Sequence, residues 1–228
     1  MDERRAGLID GMIGVLIFSG SLVATRFAVI DLDPLFSTWA RALGAAILAG
    51  AALLLAPGPR PTGREFVALA VVSATVVVGF PLFSALALRE IGAARATLFI
   101  GLLPLFTAAF AIARGVARMP RPAFWLFALA GSAVVAGYAL GGALSGSLLG
   151  DALILAAVVS AGLGYAEGAR LTTRLGGRQV ISWAVVLALP VSLPATILMW
   201  PPTHAVGWPA LGGLAYTAAF SQWIGFLF

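Results

Sequence analysis

Apolar runs of about 20 residues follow one another along the whole chain, and this leaves few folds open. A helix needs roughly 20 residues to cross the ~30 Å hydrocarbon core of a bilayer. Eight such runs can be read, at about 7–30, 34–55, 66–88, 94–113, 123–141, 149–170, 179–199 and 209–228. In lipid every backbone N–H and C=O must be paired within the structure, so only helices or closed barrels can span it. The runs lack the short alternation of barrel strands. The fold class predicted is an all-α polytopic membrane protein. With 61% hydrophobic and 10% charged residues among 228, too few polar groups remain to cover a water-exposed surface. The first run is too long for a signal peptide and has no clear cleavage site.

The connections are short and rich in breakers: PGPRPTGRE (57–65), RGVARMPRP (114–122) and PPTHAVGW (201–208). All fourteen basic residues are arginines, and they sort by side. With the N-terminus inside, Arg4, Arg5, Arg60, Arg64, Arg114, Arg118, Arg121, Arg170, Arg174 and Arg178 fall on the cytoplasmic side, ten in all, against Arg26, Arg41, Arg89 and Arg95 towards the outside. The positive-inside rule therefore predicts a multi-pass protein with a cytoplasmic N-terminus. Trp200 and Trp208 then fall at the outer interface and Trp125 at the inner one. The net charge of +5 reads as topology rather than as nucleic-acid affinity. The absence of cysteine removes disulfides, thiolate catalysis and Cys-based metal sites.

A faint repeat is present. Sliding the chain by 141 residues sets Asp10 on Asp151, Ser19 on Ser160, Leu22 on Leu163 and Ala28 on Ala169, so helix 1 echoes helix 6. Five helices separate the copies, an odd number, so they cross the membrane in opposite directions. Such inverted repeats place a transported substrate near the midplane between halves. Residues 1–148 form the first unit, with helices 1–5, and 149–228 a second that holds only helices 6–8. A complete inverted pair would have ten helices, which predicts that this chain is a fragment, short by about 60 residues.

A charge inside the bilayer costs about 2.5–3.5 kcal/mol and calls for water, a partner or a task. Arg26 lies about 6 Å from the outer end of its helix, where snorkelling with Asp31 and Asp33 as counter-charges explains it. Arg41 lies near 10 Å deep, and a buried structural role and a cavity-facing role on a substrate carboxylate both stay open. Asp10 and Asp151 sit in first helical turns, where the helix dipole favours a carboxylate. Glu167 is expected to pair with Arg170. Pro81, Pro104, Pro190 and Pro194 interrupt helices 3, 4 and 7 as kinks or hinges. Ser160–Gly164–Gly168 and Gly137–Gly141 read as close-packing faces. The cavity candidates are Ser19, Arg41, Tyr165, Tyr216 and Gln222, polar groups on helices 1, 2, 6 and 8. The one histidine, His204, lies in a loop. No HExxH, GxSxG, P-loop or intramembrane carboxylate pair occurs, so no enzyme chemistry, cofactor or metal is expected.

FSGSLVATR (18–26) followed by Pro34 and Arg41 resembles the opening hairpin of the EamA family in the drug/metabolite transporter superfamily. ALREIGAARATLFIGLLPLF (87–106) resembles its helix 3–4 corner, GDALILAAVVSAGLGYAEGARL (150–171) the start of its second repeat, and AYTAAFSQWIGFLF (215–228) its helix 8. Phe18 and Ala161 stand where tryptophan is usual. The resemblance implies a ten-helix 5+5 inverted-repeat secondary transporter with a central cavity. It would export amino acids or similar small metabolites by alternating access. The partners are then a small-molecule substrate and the lipid bilayer, with homo-oligomerisation open. A non-transporting scaffold or assembly subunit is the alternative, and it predicts packing faces without ligand-dependent stabilisation.

Overall fold

Breakers and caps divide the apolar runs into twelve α-helices in the computed structural model, which describes residues 3–116, 119, 121–140, 147–201 and 206–228. Gly141, Arg118 and His204 lie outside the described residues. Span one is α1 (Glu3–Ser19) and α2 (Ser21–Asp31), joined at Gly20. Span two is α3 (Pro34–Leu55). Asp33 caps it, its carboxylate accepting from the backbone N–H groups of Leu35 (2.8 Å) and Phe36 (3.3 Å), with Pro34 in the first turn. Span three runs through α4 (Gly63–Val72), a π-helical segment (Ser73–Gly79) and α5 (Phe80–Glu90). Span four is α6 (Ala93–Ile100) and α7 (Leu103–Ala113), span five α8 (Pro122–Leu140) and span six α9 (Leu148–Leu175). Span seven is α10 (Gly177–Leu187) and α11 (Leu189–Leu198), bent by 48°. The last run, numbered span eight, holds α12 (Trp208–Tyr216), a second π segment (Thr217–Ser221) and a 3₁₀ turn (Ile224–Leu227).

By length and composition five of these qualify to cross a membrane, or six when the bent α10–α11 pair counts as one span. The helix expected over 209–228 is broken after Tyr216. Three consecutive side chains pin it there to three different spans. Ser221 Oγ accepts from Arg41 Nη2 at 3.4 Å, Gln222 Nε2 donates to the Val77 carbonyl at 3.0 Å, and Trp223 Nε1 donates to Ser182 Oγ at 2.9 Å.

The prolines act as segment starts. Pro81, Pro104 and Pro190 sit in the first turns of α5, α7 and α11, where a missing N–H costs least; Pro194 lies inside α11. Pro81 cannot supply the N–H that an α-helix would aim at the carbonyl four residues back, Val77. That carbonyl is the one Gln222 serves.

α9 is the central rod, packed by α4, α5, α6, α7 and α10. α3 packs on α10 and α11, and α2 on α12. Ala42, Ala45, Ala46 and Ala49, spaced along one face of α3, meet Leu69, Val72 and Val77 of span three and Val180, Ile181 and Val185 of α10 in the main core. Small residues allow the closest approaches, as expected for helices in lipid. A Cβ at Gly164 would lie 2.3 Å from Thr75 Oγ1 and Val76 Cγ2, and Ser160 Oγ donates to the Thr75 carbonyl at 3.0 Å. Gly168 is looser, its nearest side-chain atoms 3.9 Å from a Cβ, and among the described residues nothing lies within 4 Å of a Cβ at Gly137.

Several charges sit otherwise than expected. Arg26 donates to the Leu88 carbonyl at the C-terminal end of α5 rather than pairing with Asp31 or Asp33. Asp33 is the cap of α3, and Asp31 accepts from the Gly207 backbone N–H at 2.9 Å. Asp10 is not in a first turn, because α1 begins at Glu3 and places it about two turns in. Asp151 does lie in the first turn of α9, and it also forms a two-pronged ion pair with Arg95, 2.7 Å on each arm. Glu167 pairs with Arg170 as expected, and Arg114 joins them at 2.9 and 2.7 Å. α9 thus anchors span four at both ends.

Candidate functional site

Where the helices of spans one, three, four and eight break, they leave a cavity of about 760 Å³ against α9. That volume falls in the ordinary range for small-molecule sites. Its walls draw on α1 and α2, α3, span three, span four, α9, α10 and the final run. They are largely apolar, from Val15, Leu22, Val76, Leu103 and Ile181 among others. An aromatic corner forms where Phe226 meets Phe18 edge-on at 4.9 Å and Tyr165 at 6.1 Å.

Four of the five sequence candidates line this cavity: Ser19, Arg41, Tyr165 and Gln222. They come from α1, α3, α9 and the final run, so tertiary packing alone brings them together. Ser19 Oγ donates to the Leu16 carbonyl of its own helix at 2.7 Å. Tyr216 is outside the lining. Its hydroxyl donates to the Ile17 carbonyl at 2.7 Å, and its ring covers Gly20, where a Cβ would meet Tyr216 Oη at 2.7 Å. The contact at Gly20, the break between α1 and α2, is open to Tyr216 because glycine has no side chain.

Arg41 stands apart from the other arginines. It is 4% exposed, Nη2 makes one long contact with Ser221 Oγ at 3.4 Å, and buried Nε has no hydrogen-bond partner. Elsewhere Arg95 holds Asp151, Arg114 and Arg170 hold Glu167, and Arg174 holds Glu65. Arg26, Arg89 and Arg178 donate to the carbonyls of Leu88, Leu32 and Ala56. A buried guanidinium carries five N–H donors and is costly when they go unused. Ser21, whose buried Oγ also has no partner, lines the same space.

Sequence reasoning missed Phe226 and Thr97 as lining residues. Phe226 is one of 14 phenylalanines with no local mark, and only the fold selects it. Thr97 did carry a signal, a hydroxyl two residues beyond Arg95 in an apolar run.

The family model described as the EamA-like transporter family matches residues 5–139. The chain is also 54% identical over 229 residues to the "uncharacterized transporter YdeK" of Bacillus subtilis (strain 168), an alignment covering 100% of this chain and 79% of that protein. No solved structure matches. A bundle of apolar helices around a polar-tipped cavity, the family match and the transporter relative lead to one conclusion: this chain is a membrane transporter belonging to the EamA-like transporter family.

Proposed function

We propose that this protein is a secondary transporter that exports amino acids or similar small metabolites across the bacterial inner membrane by alternating access. The observation that carries the reading is the cavity. Its polar groups come from both parts of the chain, Ser19 and Arg41 from 1–148 and Tyr165, Ser221 and Gln222 from 149–228. A site between inverted halves is built this way. Further support comes from exchanged helix pairs. α2 of span one packs on α12 of span eight, while α9 of span six packs on α5 of span three. Under a 1–5/6–10 repeat these two pairs are each other's counterparts. Both spans three and eight also carry a π segment, at Ser73–Gly79 and Thr217–Ser221.

In this reading the substrate sits between α3, α9 and the final run, with Arg41, Ser19, Tyr165 and Gln222 on its polar parts. The segment starts at Pro81, Pro104 and Pro190, with Pro194, are the places where rods can bend. The N-terminus is cytoplasmic. The test is counterflow in proteoliposomes with a panel of labelled amino acids and small metabolites. Saturable exchange of at least one, lost in cavity variants such as Gln222→Leu, is the expected result. No exchange with any of them refutes the substrate assignment. Because the chain has no cysteine, single introduced cysteines at Arg60 and Trp208 report sidedness directly. Labelling of the Arg60 position from outside intact cells refutes the orientation.

A further inference from the structure

We propose that the cavity selects ligands carrying one carboxylate and no compensating positive charge, that is, amphipathic monoanions with an apolar or aromatic body, in preference to zwitterions and cations. This rests on the transporter reading of the same cavity and narrows its substrates to the acids among small metabolites, with zwitterionic amino acids disfavoured.

Arg41 brings a permanent positive charge to the wall, 4% exposed, with Nε unpartnered and Nη2 held only by a hydroxyl at 3.4 Å. Among the described residues no aspartate or glutamate lines the cavity. The carboxylates on α9 are committed elsewhere, Asp151 to Arg95 and Glu167 to Arg114 and Arg170. A ligand carboxylate meeting Arg41 would supply the missing charge and accept from donors that have no other use, the strongest class of hydrogen bond available there. A ligand ammonium would find hydroxyls, the carbonyl oxygen of the Gln222 amide (its Nε2 serves Val77) and aromatic faces, but no carboxylate to balance its charge. It would pay desolvation without an opposite charge. The rest of the ligand meets the corner of Phe18, Tyr165 and Phe226, which suits an apolar body.

The test uses four compounds that share one body and differ in charge: 3-phenylpropionate (monoanion), phenylalanine (zwitterion), phenethylamine (cation) and 3-phenylpropanol (neutral). Binding to the purified full chain in nanodiscs is read by thermal shift and by titration calorimetry. The expected order puts 3-phenylpropionate first, at least about tenfold tighter than phenylalanine, because the two share the carboxylate and only phenylalanine brings an ammonium with no opposite charge to meet it. Arg41→Gln is expected to make the acid and the alcohol bind alike. Arg41→Lys keeps the charge and loses the fork, so it retains the order with weaker binding. Should Arg41→Gln fail to fold, the wild-type series and Arg41→Lys still decide. Phenylalanine or phenethylamine binding as tightly as the acid overturns the proposal, as does binding of none of the four or an acid preference that survives Arg41→Gln. Counterflow separates the two levels: exchange of zwitterionic amino acids alone overturns charge selection and leaves transport intact, whereas absence of exchange across the full panel, acids included, removes the transport reading itself.

Discussion

Gly212 and Gly213 are neighbours in α12 with opposite surroundings, and that makes a controlled experiment. A Cβ at Gly213 would lie 2.3 Å from the Ala24 carbonyl oxygen, 2.9 Å from the Ala28 backbone nitrogen and 3.2 Å from Phe27 Cβ. Two of these are backbone atoms of α2, so no side chain can turn away. A Cβ at Gly212 would meet nothing within 4 Å. Replacing either by alanine removes the same helix penalty, about 0.5–1 kcal/mol. The propensity gain therefore cancels between the two variants, and their difference isolates the clash. Forcing a methyl group into a packed contact costs about 1–3 kcal/mol. Gly212→Ala is expected to melt at or slightly above wild type, and Gly213→Ala below it, with the two separated by that clash energy. The assay is thermal unfolding in detergent followed by tryptophan fluorescence. α12 also leads into the segment that carries Ser221, whose contact with Arg41 is already long at 3.4 Å. A displacement of α12 by about 1 Å breaks that contact under ordinary hydrogen-bond limits, so Gly213→Ala is also expected to weaken ligand binding. Equal melting of the two variants would refute the close crossing of α2 and α12.

Other perturbations test separate contacts. Gln222→Leu leaves the Val77 carbonyl without its side-chain donor and is expected to cost about 1–3 kcal/mol. In a Pro81→Ala background, where a backbone N–H is restored, the same change should cost less, and a double-mutant cycle in thermal unfolding reads the coupling. Glu167→Gln breaks a carboxylate that is 1% exposed, but Arg114 and Arg170 are 45% and 55% exposed and can turn outward, so about 1–3 kcal/mol is expected, at or below the range for a fully buried pair. Unchanged stability in chemical denaturation would remove Glu167 as the residue that anchors α9 to the end of span four. Tyr216→Phe deletes only the bond to the Ile17 carbonyl, about 1 kcal/mol, and should leave ligand affinity by calorimetry unchanged because the hydroxyl does not face the cavity.

What the sequence reveals here is what local chemistry decides. Among the described residues five of the eight expected spans, or six with the bent α10–α11 pair, are long and apolar enough to cross, and they follow from the apolar runs because only helices or closed barrels satisfy a backbone in lipid and the runs lack barrel alternation. Glu167–Arg170 is visible because residues three apart share a helix face. Interruptions are visible at Pro81, Pro104 and Pro190 because proline lacks a donor, while their place in the first turns of new segments comes from the structure. The rest depends on partners far along the chain. Arg95 and Asp151 are 56 residues apart, and Arg114 and Glu167 are 53 apart, with nothing local to join them. The break after Tyr216 has no proline to announce it; it comes from three side chains binding three other spans. Gln222 was legible as a polar group at membrane depth, yet its service to the carbonyl that Pro81 leaves needs the fold.

The two arginines of the first hairpin show where depth alone misleads. Arg26 and Arg41 share a chemistry and lie on successive helices, α2 and α3, and snorkelling is open to both. What separates them is access to a helix end. The last four carbonyls of a helix have no intrahelical donor and carry its negative dipole. α2 and α5 exchange cations across this gap: Arg26 on α2 serves Leu88 near the end of α5, and Arg89 on α5 serves Leu32 just past the end of α2 at 3.3 Å. Each helix caps the other, so these two charges have structural work. Arg41 lies well inside α3, which begins at Pro34 and runs to Leu55. Among the described residues its hydrogen bond there is the long one to the Ser221 hydroxyl at 3.4 Å. The same charge that caps a helix at the rim is left with open donors at depth, and the cavity in front of it is where those donors can be met.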